Sequence, residues 1–545
     1  MLIDDARSAA MAAADALQSD PNNQALHQAY IKALAKARDE KQMALAFNRY
    51  CALFKFNPEE ERELCESMSW GIIAAGENSD SPIIRLCALI AAFHGEDSKS
   101  VEHLRRGCSD SNSAVRAAAV QLVSHLRDTP LCNEIMRLYK VENIWKVRVE
   151  VIKAIGKMKI HAGRQDLISL VADTHCGAEE KAAAIKSLVY LLEDIDRPEI
   201  IQLATSDRAG LRLLACEVIC HLQSERDTDL LWQLLSDNSY EVRAAALRCL
   251  GLLEIKEYGG YSVESLAIER CRDLNKDVAI TAAWLLTLQS GAMMPPFDYW
   301  LTHETPEVRQ QAAAAISATG SYGISILRDW FYRTEDPCVK INLALGLIQQ
   351  GIDIPQACEA LFQEFTMGGR RWKWDEDGAF IALVPLKNSE YDDDLSMSVE
   401  EIHQMTQLEI LNLLAVLKYP KIEKAIQVFL QQKIWGISGL ATAVLLTEGN
   451  SDAMISVESF LDKSAAGTKV QAALVLALWG RGEKAINVLE QSYNGADRQT
   501  KERILEGIGR IGSLTSLSFL LERLQDPQQT LRLIAASAIL QCLYH

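Results

Sequence analysis

"SDNSYEVRAAALRCLGLL", residues 236–253, sets an acid and a short polar turn ahead of an aliphatic residue, an arginine and a run of alanine and leucine. Turn formers followed by apolar residues at helical spacing predict a cap and then an amphipathic helix. The stretch before it, "DTDLLWQLLSD" (227–237), has apolar residues at i, i+3, i+4 and i+7. The unit is therefore helix, turn, helix. The same order of residues returns in "SDSNSAVRAAAVQLVSHL" (109–126), "HETPEVRQQAAAAISATG" (303–320) and "QDPQQTLRLIAASAILQCL" (525–543).

Anchored on the basic residue, the series runs Arg85, Arg116, Arg148, Lys181, Arg212, Arg243, Ala279, Arg309 and Lys340, in steps of 31, 32, 33, 31, 31, 36, 30 and 31. A weaker continuation runs Glu409, Leu440, Gln471, Lys501 and Arg532, in steps of 31, 31, 30 and 31. Three residues past the anchor stands alanine: Ala88, Ala119, Ala184, Ala215, Ala246, Ala282, Ala312, Ala443 and Ala535. One helix pair cannot bury its apolar face alone, and stacked pairs can. The expectation is an all-α, α-α superhelix of about 14 to 15 helix-pair repeats in which small residues let the second helices approach closely.

Three stretches depart from the period. Between Lys340 and Glu409 lie 69 residues, which is seven more than two steps of 31, and "GGRRWKW" (368–374) is seven residues long. That places an inserted loop at the start of a second helix, with Gly378 at the anchor and "AFIALV" as the helix that follows. "NSEYDDDLSMSVEE" (388–401) is the second departure, and its Ser398 and Glu401 have the spacing of a capping box. "EIKEYGGYSVES" (254–265) is the third, a lengthened Gly-Gly turn that accounts for the step of 36. All three are expected on exposed loops, where recognition concentrates. Residues 1–75 fall outside the phase but are helical by their alanine content and apolar spacing, which suits an N-terminal helical cap. The chain then reads as a cap (1–75), a first array (76–366), an irregular repeat with inserted loops (367–401) and a second array (402–545).

The balance of 56 basic against 73 acidic residues, a net charge of −17, disfavours nucleic acid and suits a protein partner with a basic segment. Thirteen cysteines sit mostly within apolar runs such as "LLACEVICHL" (213–222), as reduced core thiols do, which points to the cytoplasm. The N-terminus carries Asp4, Asp5 and Asp15 where a secretory leader needs basic residues and an apolar core, so no leader is expected. No stretch approaches the apolar length of a membrane helix, so no membrane insertion is expected.

The turn acid, Val-Arg, Ala-Ala and terminal Leu-Gly pattern resembles the HEAT family, in the shorter bacterial form of phycobilisome-lyase-type repeats. The resemblance covers roughly residues 76 to 545. It implies a hydrogen-bonded ladder between turn acids and repeat arginines. Asp110 with Arg116 and Asp237 with Arg243 have the family's spacing, Asp207 with Arg212 is one residue short, and Arg148, Arg309 and Arg532 occupy the same phase. Ala279 lacks the base and Glu409 inverts it, so the ladder is expected to weaken in the middle and later repeats.

Catalytic constellations are sparse. "GIGRIG" (507–512) has dinucleotide-type glycine spacing but lies in a second helix with no strand before it. Deoxyhypusine hydroxylase, a HEAT-like enzyme, binds two irons through repeated His-Glu pairs, whereas this chain has the single pair His303-Glu304. Cys216, Cys220 and His221 lack the further ligands that zinc takes. No metal or cofactor is expected. The loop's Arg370, Arg371, Trp372, Lys373 and Trp374 are of the types that dominate recognition hot spots and are the candidate partner contacts. The opposed reading folds one or both tryptophans onto a neighbouring repeat. The functional expectation is a non-enzymatic scaffold or adaptor that holds a protein partner in its superhelical groove. The alternative implied by the repeat class is a bilin-lyase-like enzyme or ligand chaperone.

Overall fold

A computed structural model describes residues 5–95, 98–126, 128–290, 295–367, 369–375, 379–386, 399–421, 457–459, 461–462, 466–478 and 482–544. The anchors Gly378 and Leu440, Ala443, and the Ser398 capping box lie outside the described residues. The fold is an all-helical stack of pairs, with two short β-hairpins. Two compact units divide the chain: Met1–Ala154 with Ile426–His545, and Ile155–Ala425.

In the second unit the helices Ala178–Leu191, Ala209–His221, Tyr240–Leu252, Lys276–Ser290, Pro306–Ser317 and Pro337–Gln349 lie side by side in chain order. Each packs on a shorter first helix of its own repeat, such as Thr228–Leu234 beneath Tyr240–Leu252. The alanines three residues past the anchor sit on this seam, and Ala184, Ala215, Ala246, Ala282 and Ala312 are all 0% exposed. A larger side chain at that phase would wedge the second helices apart.

The first unit joins the two ends of the chain. Helices Ala6–Ser19, Gln24–Lys36, Glu40–Leu53 and Arg62–Gly76 make the N-terminal helical region. The last helix, Gln529–Tyr544, packs against Arg498–Ile511 on one side and against Arg62–Gly76 and Pro82–Phe93 on the other. The approach is close: a Cβ at Gly76 would meet the Leu533 side chain at 2.8 Å. Asn48 and Gln525 exchange amide hydrogen bonds of 2.9 and 2.8 Å across this seam.

The repeat arginines tie neighbouring repeats together. Arg243 donates through Nη1 to the Asp237 carbonyl of its own turn at 2.8 Å, and through Nε and Nη2 to both carboxylate oxygens of Asp273 in the next repeat, each at 2.9 Å. Asp273 in turn caps its own turn by accepting the Asn275 N–H at 2.9 Å. Arg85 with Asp110, Arg116 with Glu142, Arg212 with Asp237 and Arg309 with Asp336 repeat the arrangement. Within a repeat, then, Arg116 reaches the backbone carbonyl of Asp110 at 2.9 Å, while the Asp110 carboxylate belongs to the arginine of the repeat before. Arg148 reaches the Glu142 carbonyl at 3.1 Å. Arg212 takes the carbonyl of Ser206, and Asp207 beside it is exposed. Where Ala279 replaces the arginine, Lys276 crosses to Glu304 at 2.8 Å. At the seam between the chain ends, Arg532 falls on Glu40 at 2.7 Å.

Burial alone would raise the Asp237 carboxyl, but Arg212 and the Ser239 N–H hold it below the ordinary carboxylate range. Asp110 and Asp273 are lowered in the same way, and Glu142 chiefly by its bonds to Arg116. A carboxyl whose folded pKa lies below its unfolded one stabilises the fold at pH above the unfolded value, and that contribution disappears as pH falls through the folded value. The melting temperature is therefore expected to be level near neutrality and to fall below about pH 4. Arg243→Ala leaves Asp273 without its guanidinium and should cost roughly 1 to 3 kcal/mol in denaturant unfolding at neutral pH. A variant as stable as the parent would show that the rung contributes nothing.

Candidate functional site

The stretch 370–374 does not form an inserted loop ahead of a helix. It enters a β-hairpin: among the described strands β1 is Glu257–Tyr258, β2 is Tyr261–Ser262, and the hairpin is β3, Trp372–Asp375, with β4, Ala382–Pro385. β3 and β4 pair antiparallel, with Trp372 opposite Pro385 and Trp374 opposite Leu383. "AFIALV" thus supplies a strand where a second helix was expected, and β4 lies against Pro306–Ser317 and Pro337–Gln349 in the place that helix would take. The reason is tertiary. Asn342, 2% exposed, donates to the Leu383 carbonyl at 2.9 Å and accepts the Leu383 N–H at 2.8 Å, offering the strand a partner that copies a backbone.

The five candidate contacts separate within this hairpin. Trp372 is 0% exposed, stands 5.9 Å from the Phe365 ring, and its backbone N–H donates to His403 Nδ1 at 3.0 Å. Trp374 is half-buried, and its indole N–H donates to Glu409. Arg370 and Arg371 are exposed, Arg370 pairing with Glu364 at 3.1 Å, and Lys373 is half-buried. Trp372 is a core residue of the hairpin, and only the two arginines lie on the open surface. Trp372→Ala should therefore destabilise by roughly 3 to 5 kcal/mol, as truncation of a fully buried aromatic does, and Trp374→Ala by less. Denaturant unfolding that ranked the two the other way would overturn this placement. Removing 368–374 deletes most of β3 and should destabilise the second unit rather than restore the period.

A concave site lies elsewhere, in the first unit. Helices Pro82–Phe93, Arg498–Ile511 and Gln529–Tyr544 line a groove of about 470 Å³. Its floor is apolar, with Ile83, Ile90, Ala91 and Ile534, and one wall is charged. Along that wall Arg498 pairs with Glu502 at 3.1 Å and Arg503 with Glu506 at 3.0 Å, which leaves their faces toward the groove polar and neutralised. Burial pushes the Cys87 thiol up, so it lines the groove as a protonated, unreactive group. Ile83 is 67% exposed and Ile90 41%. They lie one heptad apart on one helix face. The signal was present in the sequence: the equivalent phases hold Ala114 and Gln121, Glu179 and Lys186, and Glu241 and Arg248 in other repeats. An apolar floor with a charged rim can receive an amphipathic segment of a partner.

The other constellations resolve into structure. Gly507, Gly509 and Gly512 belong to the helix Arg498–Ile511 and its end: a Cβ at Gly509 would meet Ala538 Cα at 2.8 Å, and Gly512 closes the helix at φ 68°. His303 is exposed, and Glu304 pairs with Lys276. Cys216 is buried and Cys220 half-buried, all thirteen cysteines are free thiols, and among the described residues no group of three or more His, Cys, Asp or Glu could hold a metal. No described helix is long and apolar enough to cross a membrane.

Residues 228–253 match the HEAT repeat family model. No curated protein matches the chain. Among solved structures, the chain is similar to yeast importin-β (Kap95p) at 11% identity, covering 88% of this chain and 72% of that one with a TM-score of 0.35. It is similar to Kap121p at 11% identity, over 97% and 76%, with a TM-score of 0.33. The complex of CpcE and CpcF of phycocyanin lyase from Nostoc sp. PCC7120 is similar at 15% identity, over 52% and 94%, with a TM-score of 0.20. At these scores the likeness goes no further than stacked helix pairs. The matched segment, however, is one whole pair, Thr228–Leu234 with Tyr240–Leu252, a HEAT repeat by this match, and a pair with the same buried alanine and bridging arginine recurs along the described chain.

Proposed function

We propose that the chain is a non-enzymatic scaffold that holds a protein partner with a basic segment, and that the partner's apolar face lies in the groove of the first unit. The observation that carries this reading is the exposure of Ile83 and Ile90, 67% and 41%, on the floor of a concave surface. Apolar residues left open in a cleft with a polar rim are what a helix-in-groove contact covers. The net charge of −17 supports the basic segment, and the thirteen free thiols suit the cytoplasm as the place of action. Arg370 and Arg371 on the hairpin surface are proposed as outlying contacts, with Trp372 acting by holding the hairpin in place. The bilin-lyase-like reading stays the alternative, and a chromophore band in the visible spectrum of the purified protein would favour it.

The test is capture by crosslinking from the native cell with the parent chain, Ile83→Asp and Ile90→Asp. Because both side chains face solvent, the variants should melt within about 0.5 kcal/mol of the parent. Capture of the parent's partner should fall by roughly tenfold or more if the floor is an interface core. Equal capture by folded variants would remove the groove from the proposal.

A further inference from the structure

The step of 36 residues between Arg243 and Ala279 is the longest between successive anchors in the first series, and its extra length forms the hairpin β1–β2. Gly259 and Gly260, at φ 60° and 83°, make its two-residue turn, a conformation that L side chains seldom adopt and that matches the twist of a tight hairpin. Tyr258 and Tyr261 are the cross-strand pair next to that turn. Both rings gather on Trp232 of the preceding first helix, with centroids 5.7 and 6.4 Å away and planes tilted by 41° and 34°. The pairing does not bury them: Tyr258 is 38% exposed and Tyr261 69%.

Beside this aromatic face runs a shallow groove that Glu225, Asp229, Glu257, Arg197 and Arg226 line together with Tyr258. Its two arginines are already engaged. Arg197 grips both oxygens of Asp229 at 3.0 and 2.8 Å and stands 3.5 Å from the fully buried Asp227, which Arg226 also faces at 3.6 Å. Among the described residues, neither Glu225 nor Glu257 forms an ion pair. Two arginines against the four acids Glu225, Asp227, Asp229 and Glu257 leave two carboxylates uncompensated, in a groove that Tyr258 also lines. A planar cation satisfies both at once, because a guanidinium stacks on Tyr and Trp and forks to carboxylates, whereas an ammonium does the second less well.

We propose that the Trp232, Tyr258 and Tyr261 face is a docking surface for an arginine-bearing flexible segment of a protein partner, with the guanidinium stacked on the tyrosines and its donors directed to Glu225 and Glu257. The proposal rests on the scaffold reading only in taking its ligand from a protein. It uses a different unit from the Ile83 groove, so each surface stands or falls by its own variants.

The probe is a short labelled peptide of alternating arginine and glycine, titrated into the full chain and followed by fluorescence anisotropy. Matched peptides carry lysine, citrulline or glutamate in place of arginine. The arginine peptide should bind more tightly than the lysine one, and the other two should not bind. The double substitution Tyr258→Ala with Tyr261→Ala should weaken binding by roughly tenfold or more. Glu225→Gln with Glu257→Gln, which leaves the hairpin intact, should weaken binding and flatten its salt dependence. Glu60→Gln, an exposed acid of the first unit, should change nothing. Arginine and lysine peptides that bind equally, with no response to either double substitution in variants that melt like the parent, would reduce the effect to general attraction by a chain of net charge −17 and overturn the proposal. A change of sedimentation on the tyrosine substitutions would overturn it too, by making the face a contact between copies.

Discussion

Stacked helix pairs align only if each turn is tied to the next, and in this protein a single planar cation does the tying. Arg243 spans the Asp237 carbonyl below it and the Asp273 carboxylate above it, so one side chain satisfies a turn backbone and fixes the spacing of two repeats. Five donors in a rigid fork suit this task, and lysine's single ammonium does not duplicate it. The exception shows the rule at work. At Ala279 the fork is missing, and the link to Glu304 passes to Lys276, whose side chain is 46% exposed against 16% for Arg243. An exposed single bond of that kind contributes little.

The same rung explains how the chain ends meet. Arg532 makes its turn contact, the Asp526 carbonyl at 2.8 Å, as every interior arginine does, but its carboxylate comes from Glu40 in the N-terminal helical region. The last repeat therefore presents an ordinary upper surface, and the first helices supply an ordinary lower one.

What the sequence showed clearly was whatever repeats. Each alanine at the seam and each arginine at the turn answers to its own neighbours alone, so the period survives in one dimension. The ladder's direction was not legible, because whether the Asp110 carboxylate belongs to Arg116 or to Arg85 depends on stacking rather than on spacing. The hairpin at 372–385 was hidden for a related reason. Trp372 and Trp374 alternate, as a strand requires, but "AFIALV" reads equally well as a helix until Asn342, which is 41 residues from Leu383, supplies the strand's hydrogen bonds. The groove could be found only by comparing one phase across repeats, since Ile83 and Ile90 are unremarkable residues until most of the same positions elsewhere prove polar or small.

The groove also carries a thermodynamic consequence of where its walls come from. Pro82–Phe93 lies near one terminus, and Arg498–Ile511 and Gln529–Tyr544 near the other, so the floor that holds Ile83, Ile90 and Ile534 exists only when the seam between them is closed. A partner seated there binds the closed seam and not the open one. Its binding free energy is then added to the Arg532–Glu40 rung, the Asn48–Gln525 pair and the packing of Leu533 on Gly76 in holding the chain ends together. By the same linkage, anything that loosens the seam lowers the affinity of the groove without touching it. The surface at Trp232 is built otherwise, from a first helix and a hairpin contiguous in one repeat, and neither terminus contributes a residue to it.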